Sequence, residues 1–138
     1  MSKFWEGVGR YGPLVGRILL AQIFIVSGWG KVTGFAGTAA YMAGTGMPLA
    51  EFFAVGAILL EFGGGIALIL GWQARWAALA IFLFMIPATL IFHNFWAVDA
   101  AQVQDQMIHF MKNLCIIGGT LYVMAFGAGP LSMDNRRS

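Results

Sequence analysis

Residues 50–71 read AEFFAVGAILLEFGGGIALILG, an apolar run with one acid, Glu61, at its centre and another, Glu51, at its edge. A helix rises about 1.5 Å per residue, so a run of about 20 apolar residues crosses a hydrocarbon core about 30 Å thick. Backbone N–H and C=O groups find no partners in lipid, so a lone spanning segment of this kind must be a helix. Working outward, three more stretches read the same way: about 13–31, 74–96 and 106–127. None shows the period-two alternation of a membrane barrel. The expected fold is all-α: one membrane domain over 1–138, built as a bundle of four transmembrane helices.

Composition agrees with that reading. The chain has 138 residues, of which 59% are hydrophobic and 10% charged, against about 25% charged in soluble domains. Mean hydropathy is +0.78. These values exclude an ordinary soluble domain and a disordered chain. The net charge is only +2 and the basic residues are scattered, which excludes a nucleic-acid partner. A single cysteine, Cys115, rules out an internal disulfide, a Cys-x-x-Cys pair and a self-contained iron–sulfur site.

The connections are unequal. Four residues, Gly71 to Ala74, join the second and third spans into a tight hairpin. Between the first and second, Phe35, Ala39 and Met42 recur at helical spacing, which predicts a short interfacial helix ended by Gly44, Gly46 and Pro48. The first span carries Arg17 and Gln22 and lacks a small-x-small cleavage site, so it reads as a retained helix rather than a signal peptide. Lys3, Arg10, Arg17, Arg75, Arg136 and Arg137 gather on the side of the termini, with only Lys31 and Lys112 opposite. The positive-inside rule then places both termini in the cytoplasm of a bacterial inner-membrane protein. Trp29 and Trp96 mark the outer ends of the spans, Trp72 and Trp76 the inner ends, as an aromatic belt requires.

Polar side chains within spans are costly and usually face the bundle interior. Glu61 shares a helix face with Ala54, Ala57, Gly64 and Gly65, a small-residue face suited to close helix contact. It reads in two ways. With Arg17 and Gln22 of the first span it forms either a proton relay or a structural ion pair. A second group gathers at the outer ends: Lys31, then His93 and Asn94, then His109, Lys112 and Asn113. Together they would make a mildly basic pocket for a quinone or quinol head group or a small anion. The alternative is snorkelling lysines and cross-helix hydrogen bonds. A b-type haem on His93 and His109 is disfavoured, since two histidines are the bare minimum and a haem also needs a cavity. No metal site is expected, because ligands on either side of a loop are not diagnostic.

The ordered set of residues resembles the DoxX family of small four-helix bacterial membrane proteins. The resemblance covers about Leu14 to Asp134 and rests on Arg17, Phe24 and Ser27-Gly28-x-x-Lys31 in the first span, then Phe35, Tyr41, Gly46 and Pro48. It continues with Glu61-x-Gly63-Gly64, Gly71 and Arg75, Phe92-His93-Asn94-Phe95-Trp96, Phe110-x-Lys112-Asn113-Leu114, Gly118-Gly119 and Leu131-Ser132-x-Asp134. Some members are membrane subunits of thiosulfate:quinone oxidoreductases, and others are linked to redox defence and aromatic-compound metabolism. The resemblance implies a four-helix bundle with a quinone-adjacent or accessory role, beside a soluble or membrane oxidoreductase as partner. It supplies no catalytic residue and leaves open whether the chain is itself an enzyme. An accessory or assembly subunit without chemistry, and transport of a small solute or proton through a homo-oligomer, are the rival expectations.

Overall fold

The computed structural model describes residues 2–136, so Arg137 of the basic C-terminus lies outside the described residues. The structure is 82% helix, with no strand among the described residues. Five α-helices follow in order: α1 (Lys3–Thr33), α2 (Phe35–Gly44), α3 (Ala50–Leu70), α4 (Ala74–Phe92) and α5 (Ala100–Phe126). A short 3-10 turn, Phe95–Ala97, links the last two. Four of the helices are long and apolar enough to cross a membrane. The fifth, α2, is the expected short helix, with Ala39 and Met42 buried on one face.

Two helices begin earlier than the sequence reading placed them. The helix expected from residue 13 starts at Lys3, and the one expected from 106 starts at Ala100. Hydropathy marks where a helix enters lipid, whereas the backbone ladder continues into water. Pro13 lies inside α1 without ending it.

The helices pack as an open row. α1 lies against α3, α3 against α4, and α4 against α5, while α1 and α5 barely meet. With lipid tails as apolar as leucine, helices associate through close van der Waals packing. The α1–α3 contact achieves this with small residues. Ala21 and Ala54 are fully buried, and a Cβ added to Gly28 would lie 2.9 Å from the Phe62 ring. Phe24, Leu68, Ala78, Ile81 and Met85 fill the centre. A smaller cluster of Met42, Ala54 and Ala57 seats α2 on α3. Outward, large apolar side chains such as Leu19, Leu59, Leu83 and Phe126 are exposed, as a lipid-facing surface requires.

The end that carries the termini is closed by a polar lock. Arg17 is 2% exposed and donates to the carbonyls of Leu68 and Ile69, both at 2.8 Å, and of Leu131 at 3.0 Å. Both carbonyls of α3 belong to its last turn, where Leu68 also accepts from the Gly71 amide at 3.1 Å, and a cation there meets the negative pole of the helix dipole. The chain after α5 returns across the α3–α4 hairpin. The Met133 and Asp134 amides donate to the Leu70 and Gly71 carbonyls. The Asp134 carboxylate accepts from the amides of Gln73 (2.8 Å) and Ala74 (2.9 Å), capping α4. Gly71 makes the close turn possible. Its φ is +63°, and a Cβ there would collide with Ser132 and Arg17.

Asp134→Ala should therefore lower stability by about 1 kcal/mol, the usual cost of a lost N-cap. Gly71→Ala should cost more, because it breaks both the turn and the Arg17 seat. Thermal unfolding in detergent measures both, and an unchanged midpoint for Gly71→Ala would contradict the lock.

Candidate functional site

The opposite end of the bundle holds the site. Glu61 faces inward from the small-residue face of α3 and is 5% exposed. Its partner is Lys31, which closes α1 and reaches back so that Nζ lies 3.1 Å from Oε1. Ser27, one turn before Lys31, receives a 2.6 Å hydrogen bond from Nζ and donates to Oε1 at 3.3 Å. Both donors thus engage the same carboxylate oxygen. The other, Oε2, is buried with no hydrogen-bond partner among the described residues.

Across from this pair, α4 and α5 supply the second wall. The His93 and His109 rings stack with centroids 5.1 Å apart and planes at 22°. His93 Nδ1 lies 2.9 Å from the Gln106 carbonyl oxygen. His109 Nε2 sits 3.7 Å from Asp105, one turn away on the same helix. Among the described residues, no three His, Cys, Asp or Glu side chains converge as metal ligands. Deeper in, Asn113 donates to Thr89 Oγ1 at 3.1 Å, and Thr89 donates to the Met85 carbonyl at 2.6 Å.

Between the walls lies a cavity of ≈ 720 Å³. Ser27, Lys31, Glu61, His93, His109, Lys112 and Asn113 line it, together with Tyr41 of α2 and Phe92 of α4. Tyr41 and Phe92 stack at 5.7 Å, so the interfacial helix contributes part of the wall. A second groove of ≈ 680 Å³ runs along the gap between α1 and α5. Ile23, Lys112 and Ile116 line both spaces, so the polar cavity adjoins a mainly apolar path down the lipid face.

The structure regroups the expected site residues. Lys31, His93, His109, Lys112 and Asn113 line one cavity. Glu61 joins them, because the Lys31 side chain spans the depth between the outer cluster and the mid-membrane carboxylate. The expected grouping of Arg17 and Gln22 with Glu61 is corrected. Arg17 is committed to the α3 carbonyls at the other end, and Gln22 is exposed along the α1–α5 groove. Arg17 shares the buried face of α1 with Gly28, which packs beside Glu61, but lies 11 residues before it, about 16 Å along the helix, whereas Gln22 is turned outward by helix rotation. Asn94 is outside the cavity lining and caps the 3-10 turn, where its carbonyl accepts from the Ala97 amide at 2.9 Å. Thr89 and Gln106 were not singled out from sequence. Thr89 lies four residues before His93 on α4, and that helical spacing is the only signal for it.

The DoxX family model matches residues 12–94, more than half of the chain. The chain belongs to the DoxX family. The Escherichia coli inner membrane protein YqjF is 42% identical over 123 residues, covering 89% of this chain and 89% of its own. The Escherichia coli inner membrane protein YphA is 34% identical over 123 residues, covering 89% of this chain and 88% of its own. No solved structure matches. With four membrane-spanning helices and these relatives, this DoxX-family chain is an integral inner-membrane protein.

Removing one member of a buried ion pair strands the other charge. Glu61→Ala should cost about 3 kcal/mol, the low end for such pairs, because Lys31 keeps 22% side-chain exposure. The double substitution Lys31→Met, Glu61→Leu should recover most of that loss. Unfolding midpoints of the two variants check this, and equal losses in both would contradict a coupled pair.

Proposed function

We propose that this DoxX-family protein holds a quinone or quinol head group in the cavity between Lys31–Glu61 and His93–His109, as the membrane subunit of a redox complex. One observation carries the reading: a single cavity joins two facing sets of ionisable groups and abuts an apolar groove in the lipid face. Small-molecule sites are typically about 300–1,000 Å³ and mostly apolar, with a few placed polar groups. A quinone ring carries oxygens on opposite edges, and the two facing walls match that placement. Tyr41 and Phe92 offer apolar surface to the ring. The α1–α5 groove suits an isoprenoid tail that enters sideways from the bilayer.

The polar groups would position the ring and move its protons. Lys112 sits where cavity and groove meet and donates hydrogen bonds only. His93 and Glu61 have acceptor capacity for protons released on quinol oxidation. The electrons would pass to or from a partner oxidoreductase subunit, the class of partner this reading requires. Large apolar side chains along the outer faces of α1, α3 and α4 offer packing surface within the bilayer.

Orientation follows from the same reading. Lys3, Arg10, Arg75 and Arg136 lie toward the end with both termini, so the termini are cytoplasmic and the cavity faces the periplasmic leaflet. A C-terminal fluorescent-protein fusion should fluoresce, and an alkaline phosphatase fusion at the same place should be inactive. The reverse result would invert the topology.

His93→Ala should weaken binding of a short-chain benzoquinol, and Lys112→Ala binding of the quinol or the quinone, by about tenfold, the worth of one good hydrogen bond to a charged or polarised group. Titration of purified protein in nanodiscs measures it. Unchanged affinity in both variants would remove the cavity from quinone binding.

A further inference from the structure

The cavity walls are unequal in what they offer a ligand. Lys31 and Ser27 both direct their hydrogens at Glu61 Oε1, leaving Oε2 buried and unpartnered among the described residues. In its ionised form, with the Lys31 ammonium 3.1 Å away, the carboxylate only accepts hydrogen bonds. A buried acceptor without a donor is costly, and each such group calls for a partner. Glu61 lines the cavity, and it is rotation about its soft terminal torsion that would bring the free oxygen to a ligand donor there.

The facing wall carries donors, among them Lys112, and one further acceptor. The Gln106 side-chain amide oxygen only accepts, and the His93 tautomer with its proton on Nδ1 makes that 2.9 Å bond. In the neutral ring Nε2 is then an acceptor. The Asn113 amide nitrogen gives one of its two hydrogens to Thr89.

We propose that the cavity selects the reduced, dihydroxy form of the aromatic ring, with one hydroxyl donating to Glu61 and the opposite hydroxyl donating to His93. The inference rests on the quinone-pocket reading and narrows it to one redox state. A quinol presents an O–H at each edge and satisfies both acceptors. A quinone presents only carbonyl oxygens, which meet the Glu61 carboxylate lone pair to lone pair. Lys112 remains at the cavity edge as a donor to either form and does not discriminate.

The test is a pair of titrations of the purified full-length protein in nanodiscs, under anaerobic conditions, with a decyl-tailed benzoquinol and with its quinone. The quinol should bind at least tenfold more tightly, since a hydrogen bond to a charged acceptor contributes at least that factor. Glu61→Gln keeps the shape but adds an amide donor, and should narrow the ratio or invert it. Equal affinities, or tighter quinone binding, overturn the selection while leaving the pocket in place. Binding of neither form overturns the pocket and the selection together. An unchanged ratio in folded Glu61→Gln overturns the assignment to the carboxylate. The wild-type ratio needs no variant, so a poorly folded Glu61→Gln protein does not blunt the test.

Discussion

The Lys31–Glu61 ion pair is the constraint around which the far half of the molecule is arranged. A carboxylate placed midway along an apolar helix needs an answer from inside the bundle, because lipid offers none. That answer comes from the end of α1, where Lys31 folds back along Ser27 to reach Oε1. The small face of α3 lets α1 approach closely enough for this, and Gly28 leaves room for Phe62 beside the pair. The same inward turn of Glu61 keeps the space toward α4 and α5 from filling with leucine or isoleucine, and the cavity occupies that space. Polar function and helix packing are therefore two consequences of one placement.

The other half of the molecule solves the opposite problem. There the bundle needs closure rather than space. Arg17 gathers three carbonyls from two distant segments, and Asp134 returns to cap α4. Leu131 adopts φ +58°, which costs roughly 1–2 kcal/mol for a residue with a side chain. Its carbonyl bond to Arg17 and the neighbouring backbone bonds hold that conformation. One end is cross-linked and the other open, so α1 and α5 can stand apart along the groove without loosening the hairpin.

Most of the fold was legible in the sequence because hydropathy and helix length act locally. Residues 50–71 and the short Gly71–Ala74 connection specify a hairpin with no knowledge of neighbours. The inward face of Glu61 was legible too, from Ala54, Ala57 and Gly65 at helical spacing. Its partner was not. Depth counting brought Arg17 and Gln22 toward Glu61, but helix rotation sends Gln22 to the outer face, and Arg17 lies about three turns before Gly28, level with the end of α3. Lys31 lay a turn too far along α1 by backbone position alone, and its flexible four-carbon stem makes up the difference. The cluster of His93, His109, Lys112 and Asn113 was legible from depth and shared helix faces. Asn94 was misplaced because α4 ends at Phe92, and the backbone beyond it leaves helical register.

The central claim is that the cavity between Lys31–Glu61 and His93–His109 receives a quinone or quinol ring. The most direct measurement is photolabelling of the nanodisc-embedded protein with a short-tailed azidoquinone, followed by peptide mapping. Label is expected on α5 between His109 and Ile116, on α2 near Tyr41 and on α4 near Phe92, and an excess of unlabelled quinol should remove it. Label confined to the lipid-facing surfaces of α3 and α4, or insensitive to quinol, would contradict the claim.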